Sequence, residues 1–238
     1  MPSKTRPAAE AFQRARRPEQ KEQRREAILA AAADLARRDG VRAVTLSDIA
    51  RAVGIHKSAL LRYFETREQI FLELTGREWS AWQEATTTAL AEIAPGDADA
   101  VATALATSFV GRPLLCDLIP HTALNLERHV SVEAVHAYKL TSLGAVDAVA
   151  TAIAGPLPDL SAEERLELVS YVALLAGSMF QISTPPEPLA DLYKREPRLG
   201  HALLDLDARL TRATRVAIAG LEARPQPRLR ARQTSSQG

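Results

Sequence analysis

The chain has 238 residues and a formal net charge of +1, enough length for two modest domains or one large one with a substantial core. Its single Cys116 excludes an internal disulfide framework and a multi-cysteine zinc site. No apolar run approaches the roughly 20 residues of a membrane-spanning helix. Alanine and leucine dominate, aromatics make up 5%, and strand-like runs of Val, Ile and Thr are scarce, so an all-α fold is expected. The basic N-terminal stretch has no apolar segment behind it and does not read as a secretory signal. A soluble, cytoplasmic protein is expected.

Charge is unevenly distributed. Residues 1–67 hold 15 Lys+Arg against 8 Asp+Glu, a surplus of 7, and the remainder holds 15 against 21, a deficit of 6. A basic end on an acidic body is the footprint of nucleic-acid binding confined to that end.

Residues 1–20 contain Pro2, Pro7 and Pro18 and the cluster Arg14, Arg16, Arg17. They read as a flexible basic arm that either follows phosphates or is inert. From Lys21 to Arg38 a helix is predicted, with Ile28, Leu29, Ala32, Leu35 and Ala36 as its apolar stripe and Asp39-Gly40 as its stop. Thr45 opens a second helix over 46–53, with Asp48 placed to reach back to the cap, and Gly54 ends it. A third spans 57–64, where Leu60, Leu61 and Phe64 recur at helical spacing and His56, Lys57, Ser58, Arg62 and Tyr63 are polar or cationic. Two short helices across a tight turn, apolar inside and cationic outside, have the layout of a helix-turn-helix. Its core is expected from Ile28, Leu35, Val44, Leu46, Ile49, Val53, Leu60 and Phe64.

The run Thr45-Leu-Ser-Asp-Ile-Ala-Arg-Ala-Val-Gly-Ile, then Leu60, then Tyr63-Phe64-Glu-Thr-Arg-Glu-Gln-Ile70-Phe71, resembles the DNA-binding domain of the TetR family of transcriptional regulators. The resemblance covers about residues 21–75. It departs from the family where His56 replaces Ser or Thr, where Ser58 replaces a small Gly or Pro, and at Leu61, which lacks a customary tyrosine hydroxyl. Tyr63 matches the family's His/Tyr position and Arg67 its usual Lys, which implies backbone-phosphate contacts for both.

The physical roles agree with that layout. Thr45 at a helix N-terminus offers a hydroxyl and amide donors to phosphate, or serves as a cap alone. Lys57 and Arg62 supply charge, and an arginine can also fork onto a guanine edge. His56 and Ser58 sit at the start of the recognition helix, nearest the bases. Arg37, Arg38 and Arg51 read as solvated faces.

From Arg67 a helical pattern runs to Ile93, about 40 Å long at 1.5 Å per residue, and Pro95-Gly96 stops it. Further helices are predicted at 98–110, 113–118, 121–129, 131–154, 161–182 and 201–222, broken by prolines that include the Pro185-Pro186-Glu187-Pro188 cluster. Ser161 to Glu164 is a capping box. The domains are expected as an arm (1–20), a DNA-binding unit (21–74), an effector-binding and dimerisation body (75–222) and a flexible tail (223–238). The dimer seam is expected from Leu166, Val169, Ala173, Ala176 and Phe180 with Leu203, Leu206, Leu210, Ala213 and Ala217. The resemblance implies the same arrangement; the alternative is that both stripes are satisfied within one subunit.

The resemblance also implies a small-molecule effector held in the body. Trp79, Trp82, Phe109, Cys116, His121, Asn125, His136, Tyr138, Met179 and Phe180 could form a mostly apolar cavity with a few orienting polar groups. The alternative is ordinary core for the aromatics and surface for half of the histidines. His129, Glu133 and His136 fall on one helix face at a spacing able to ligate a cation, and Cys116 with His121 could pair as nucleophile and base. No third orienting residue, oxyanion motif or Gly-rich phosphate loop accompanies them, so neither an enzyme nor a cofactor is expected. The reading is a homodimeric repressor that binds a pseudo-palindromic operator in double-stranded DNA and answers to a hydrophobic effector. The alternatives are an effector-independent DNA-binding protein and, behind it, a helical metal-binding protein or enzyme.

Overall fold

A computed structural model describes residues 8–202 and 205–224. Among these residues the regular structure is helical: α1 (Ala8–Asp39), α2 (Leu46–Ala52), α3 (Lys57–Leu60), α4 (Arg67–Ala91), α5 (Ala98–Val110), α6 (Pro113–His121), α7 (Val132–Ala152), α8 (Ala162–Ser183), α9 (Glu187–Arg195) and α10 (Leu206–Glu222). A π-helical turn, Thr122–Leu126, follows α6, and a short 3₁₀ turn, Pro197–Ala202, follows α9.

The first three helices form the predicted head. Ile28, Val44, Ile49, Leu60 and Phe64 are buried at its centre, with Leu35, Leu46 and Val53 packed around them. Gly40 and Gly54 adopt positive φ, 81° and 68°, where a side chain would be strained, and so turn the chain into and out of α2. Helix α4 starts on Thr66, whose hydroxyl accepts from the Gln69 N–H at 3.1 Å while Gln69 Oε1 accepts from the Glu65 N–H at 2.7 Å. Reciprocal capping of this kind satisfies two otherwise orphaned donors.

The body packs on the rest of α4. Trp79, Trp82 and Phe109 stack edge-on and tilted, with Trp82 and Phe109 centroids 4.8 Å apart, and α5, α7, α8 and α10 close over them. Helix α6 serves both halves. Leu114 and Leu118 belong to the core of the head, whereas Leu115 and Cys116 belong to that of the body. Where α8 crosses α6 it carries Gly177, at which a Cβ would stand 3.0 Å from Pro120 and 3.1 Å from Ile119, so a side chain there would force these neighbours to shift by a few tenths of an ångström.

Several sequence expectations are corrected. Helix α1 begins at Ala8, so the stretch expected as an arm is helical from there on; residues 1–7 lie outside the described residues. The recognition helix closes at Leu60 and continues as tight turns to Phe64, with Tyr63 and Phe64 N–H groups both bonded to the Leu60 carbonyl. The helix expected at 121–129 is the π-helical turn, because Pro120 precedes it without an N–H to donate. Helix α9 was not foreseen, and α10 opens at Leu206 rather than 201. Helix α8 is, by length and composition, apolar enough to cross a membrane, against the expectation that no such run exists. One face of it packs in the body core. The tail from residue 225 lies outside the described residues.

Candidate nucleic-acid interface and effector cavities

Thr45 caps α2 completely. Its hydroxyl donates to Asp48 Oδ2 at 2.6 Å, its N–H donates to the same oxygen at 3.0 Å, and the Asp48 N–H donates back at 3.3 Å. The Thr45 hydroxyl holds the Asp48 carboxyl below the usual carboxylate range. The Thr45 proton is thus committed to Asp48. The donors left at this helix end are the N–H groups of Leu46 and Ser47.

His56 takes the cap position of α3, its Nδ1 accepting from the Ser58 N–H at 3.3 Å and standing 2.8 Å from the Ser58 hydroxyl. The imidazole thus fills a cap role that Ser and Thr commonly fill at helix N-termini. Lys57 and Arg62 are exposed, and neither side chain makes a hydrogen bond or ion pair among the described residues. Tyr63 is half-buried and lines a groove of about 560 Å³ with Lys21 and Arg24 of α1. These two exposed cations were absent from the sequence expectation; their spacing along one helix face was the available signal.

Arg67 is placed differently from expectation. Its Nε donates to the Val44 carbonyl at 2.5 Å, one terminal nitrogen donates to the Val41 carbonyl, another faces Glu68 at 3.3 Å, and the guanidinium lies 4.5 Å over the Phe71 ring. Its two bonds to the Val41 and Val44 carbonyls tie the α1–α2 loop to α4. It is a brace within the head, and its reach to phosphate is already spent.

The residues expected to line one effector pocket are dispersed. Trp79, Trp82, Phe109 and Cys116 are packed core, and Met179 and Phe180 lean on them. Trp82 Nε1 donates to the Ser108 hydroxyl at 2.9 Å. The Cys116 thiol donates to the Phe109 carbonyl at 3.2 Å, and burial, with Asp117 beside it, pushes its pKa up to about 12, the opposite of an activated nucleophile. His136 is exposed. Tyr138 alone of that group lines a cavity of about 670 Å³ between α1, α4 and α7. Leu72, Gly76, Ala81, Ala134 and Ala137 supply its apolar wall, and Arg25, Glu73, Arg77 and Glu84 its charged rim. His121 and Asn125 line a separate cavity of about 330 Å³ with Arg42, Arg67, Glu68 and His129. Among the described residues no group of three or more His, Cys, Asp or Glu could hold a metal ion.

Two family models match the chain: bacterial regulatory proteins of the tetR family over residues 28–74, and the tetracyclin repressor-like C-terminal domain over residues 76–225. The chain belongs to the TetR family of transcriptional regulators. Among solved structures it is similar to Thermus thermophilus FadR, a repressor in complex with lauroyl-CoA, at 18% identity and a TM-score of 0.53, covering 85% of this chain and 97% of that one. FadR from Bacillus halodurans matches at 13% identity and 0.52 over 82% and 98%. A transcriptional regulator of Streptomyces coelicolor A3(2) matches at 18% and 0.51 over 85% and 99%. At such identities the likeness is one of fold. Comparison with curated protein sequences finds no match.

In this TetR-family chain part of the expected seam on α8 and α10 is enclosed within the subunit. Val169, Ala173, Ala176 and Leu210 are buried inside the subunit, so that stripe is satisfied without a second copy. Leu203 lies outside the described residues. The apolar side chains that face outward are Leu166, Tyr171, Leu174 and Ile182 on α8 and Val216 on α10. The two helices run antiparallel, since Arg224 at the end of α10 pairs with Glu167 near the start of α8 at 2.8 Å.

Proposed function

We infer that this chain is a homodimeric repressor whose two heads read the halves of a pseudo-palindromic operator, and that an amphipathic effector releases it. The observation that carries the DNA reading is the pair Lys57, on the short third helix, and Arg62, in the turn after it, both exposed and with no side-chain partner among the described residues. Cations held out in this way neutralise phosphate and release counterions. His56 and Ser58 at the same helix start stand nearest the base edges, the flanking groove of Lys21, Arg24 and Tyr63 extends the phosphate-facing surface, and the amides of Leu46 and Ser47 add donors.

One head offers too few contacts for useful selectivity, whereas two related by a twofold axis multiply them. The outward apolar side chains of α8 and α10 are the surface on which a second copy fits. The effector is assigned to the cavity between α1, α4 and α7, because an apolar wall under a rim of arginines and glutamates suits a molecule with an apolar tail and a polar head. Lauroyl-CoA, held by T. thermophilus FadR, has that character and is the first compound to test. An effector wedged between α4 and α7 shifts the population between two placements of the heads.

Selection of duplexes from a random pool by the purified protein tests this directly. An enriched inverted repeat is the expected outcome; no enrichment, even at low ionic strength, overturns it. Acyl thioesters added to the selected complex then lower its affinity if the cavity is the effector site.

A further inference from the structure

We propose that the cavity at the joint between head and body is a second binding site, one for a small oxyanion such as a carboxylate or phosphate. It is enclosed by Arg42 on the loop after α1, by Arg67 and Glu68 at the start of α4, and by His121, Asn125 and His129 around the π-helical turn. Its volume, about 330 Å³, has room for a small metabolite. His121 forms the floor. It is only 6% exposed, yet neither ring nitrogen has a hydrogen-bond partner, and Asp117 Oδ1 stands 3.7 Å from Nε2, beyond hydrogen-bond reach. Buried imidazole nitrogens are ordinarily satisfied, so a polar ring aimed at an accessible space marks a place where another molecule completes it.

The donors and acceptors around the space decide the class of ligand. Both acidic groups nearby are engaged. Asp117 accepts from the Val41 N–H and from Gln181 Nε2, each at 2.7 Å, and Glu68 is paired with Arg67. Arg42, Asn125 and His129 are exposed and their side chains make no hydrogen bond or ion pair among the described residues. Burial lowers the His121 pKa while Asp117 opposes the shift, so the ring is neutral near pH 7 and offers one N–H. The uncommitted groups are therefore mainly donors, led by a guanidinium, and donors of that kind select acceptor oxygens.

Position gives the site a consequence. Arg42 adjoins Val41, which Asp117 holds, and His121 lies one turn after Asp117 on α6. An anion bridging Arg42 and His121 fastens the same loop of the head to the same helix of the body. The consequence for DNA rests on the regulator reading; the binding itself does not.

The test is calorimetric titration of the full chain with inorganic phosphate and, separately, with succinate, with ring C–H resonances of His121 followed by NMR. The expected result is one site per chain for at least one of the two, a shift of the His121 signals, and about tenfold weaker binding in Arg42→Gln and His121→Phe. The better of the two anions names the source. Duplex affinity, measured at constant ionic strength to exclude screening, changes several-fold with the anion present. If neither anion binds or moves the His121 signals, or if both variants bind as wild type does, the space is a hydrated crevice only and the proposal is overturned. Should His121→Phe fail to fold, the exposed Arg42→Gln decides alone. Anion binding by a chain that grips no duplex would leave this site standing and remove the regulator reading instead.

Discussion

The carboxylate of Asp117 accepts the backbone N–H of Val41 at 2.7 Å, across 76 positions of sequence, and its other oxygen accepts from Gln181 on α8. One side chain on α6 thereby fixes the loop of the DNA-reading head and the adjoining helix of the body at once. Asp117→Ala is expected to lower stability by about 1–3 kcal/mol, because the partly buried Val41 N–H loses its acceptor, whereas the exposed Gln181 amide can turn to water. Urea denaturation measures this; an unchanged midpoint would show that the joint is held by packing alone.

Gly177→Ala tests the other side of α6. Alanine in a helix interior gains about 1 kcal/mol over glycine. Here the added methyl meets Ile119 and the rigid ring of Pro120 at 3.0–3.2 Å, and overpacking costs about 1–3 kcal/mol. The second effect wins. A fall in Tm of about 2–4 °C is expected for each kcal/mol lost, and a rise would mean that α6 yields freely.

Where local chemistry decided the structure, the sequence could be read. Thr45 with Asp48 and Ser161 with Glu164 form the capping boxes their spacing announced, and Pro95-Gly96 and Pro113 bound helices at the positions expected. Helix α9 was missed because prolines read as breakers also start helices: Pro186 caps it and Pro188 sits in its first turn. The harder losses are tertiary. Both faces of α8 are apolar, and nothing in its periodicity says that Val169 turns inward and Leu174 outward. Nor can an arginine's spacing show that Arg67 is consumed by Val41 and Val44, or that Trp79 and Trp82 stack as core rather than wall a cavity.

The contrast between Lys57 and Arg67 makes a prediction of its own. Lys57→Ala should weaken duplex binding across sequences and reduce the slope of log affinity against log salt by about one, as the loss of one phosphate contact requires. Arg67→Ala should leave the slope alone while lowering the melting temperature, because it removes a brace between Val41, Val44 and α4. Equal salt slopes for Lys57→Ala and wild type would take Lys57 off the interface.

Cys116 supplies a test of the body core that needs no DNA. With its pKa raised from 9.0 to about 12, the thiolate fraction at pH 8 is about a thousandfold smaller than for an ordinary thiol. Iodoacetamide should leave the native protein unmodified over hours and alkylate it promptly in denaturant. Prompt reaction of the native protein would mean that the core around Phe109 opens readily.

The dimer seam can be tested without disturbing the subunit, because the outward side chains are not the buried ones. Leu174 is 64% exposed on α8 and Val216 66% exposed on α10, whereas Val169 and Leu210 are fully enclosed. Leu174→Arg therefore costs the isolated subunit little. In a twofold assembly it brings a charge into the seam twice, where desolvation and like-charge repulsion oppose pairing. Sedimentation should show a monomer at micromolar concentration with unchanged helix content. Affinity for a full inverted repeat should fall, while affinity for a single half-site holds. Val169→Ala should do the reverse, costing stability through the cavity it leaves and sparing the dimer. If Leu174→Arg remains dimeric and binds the full repeat as tightly as before, the two copies meet on some other face.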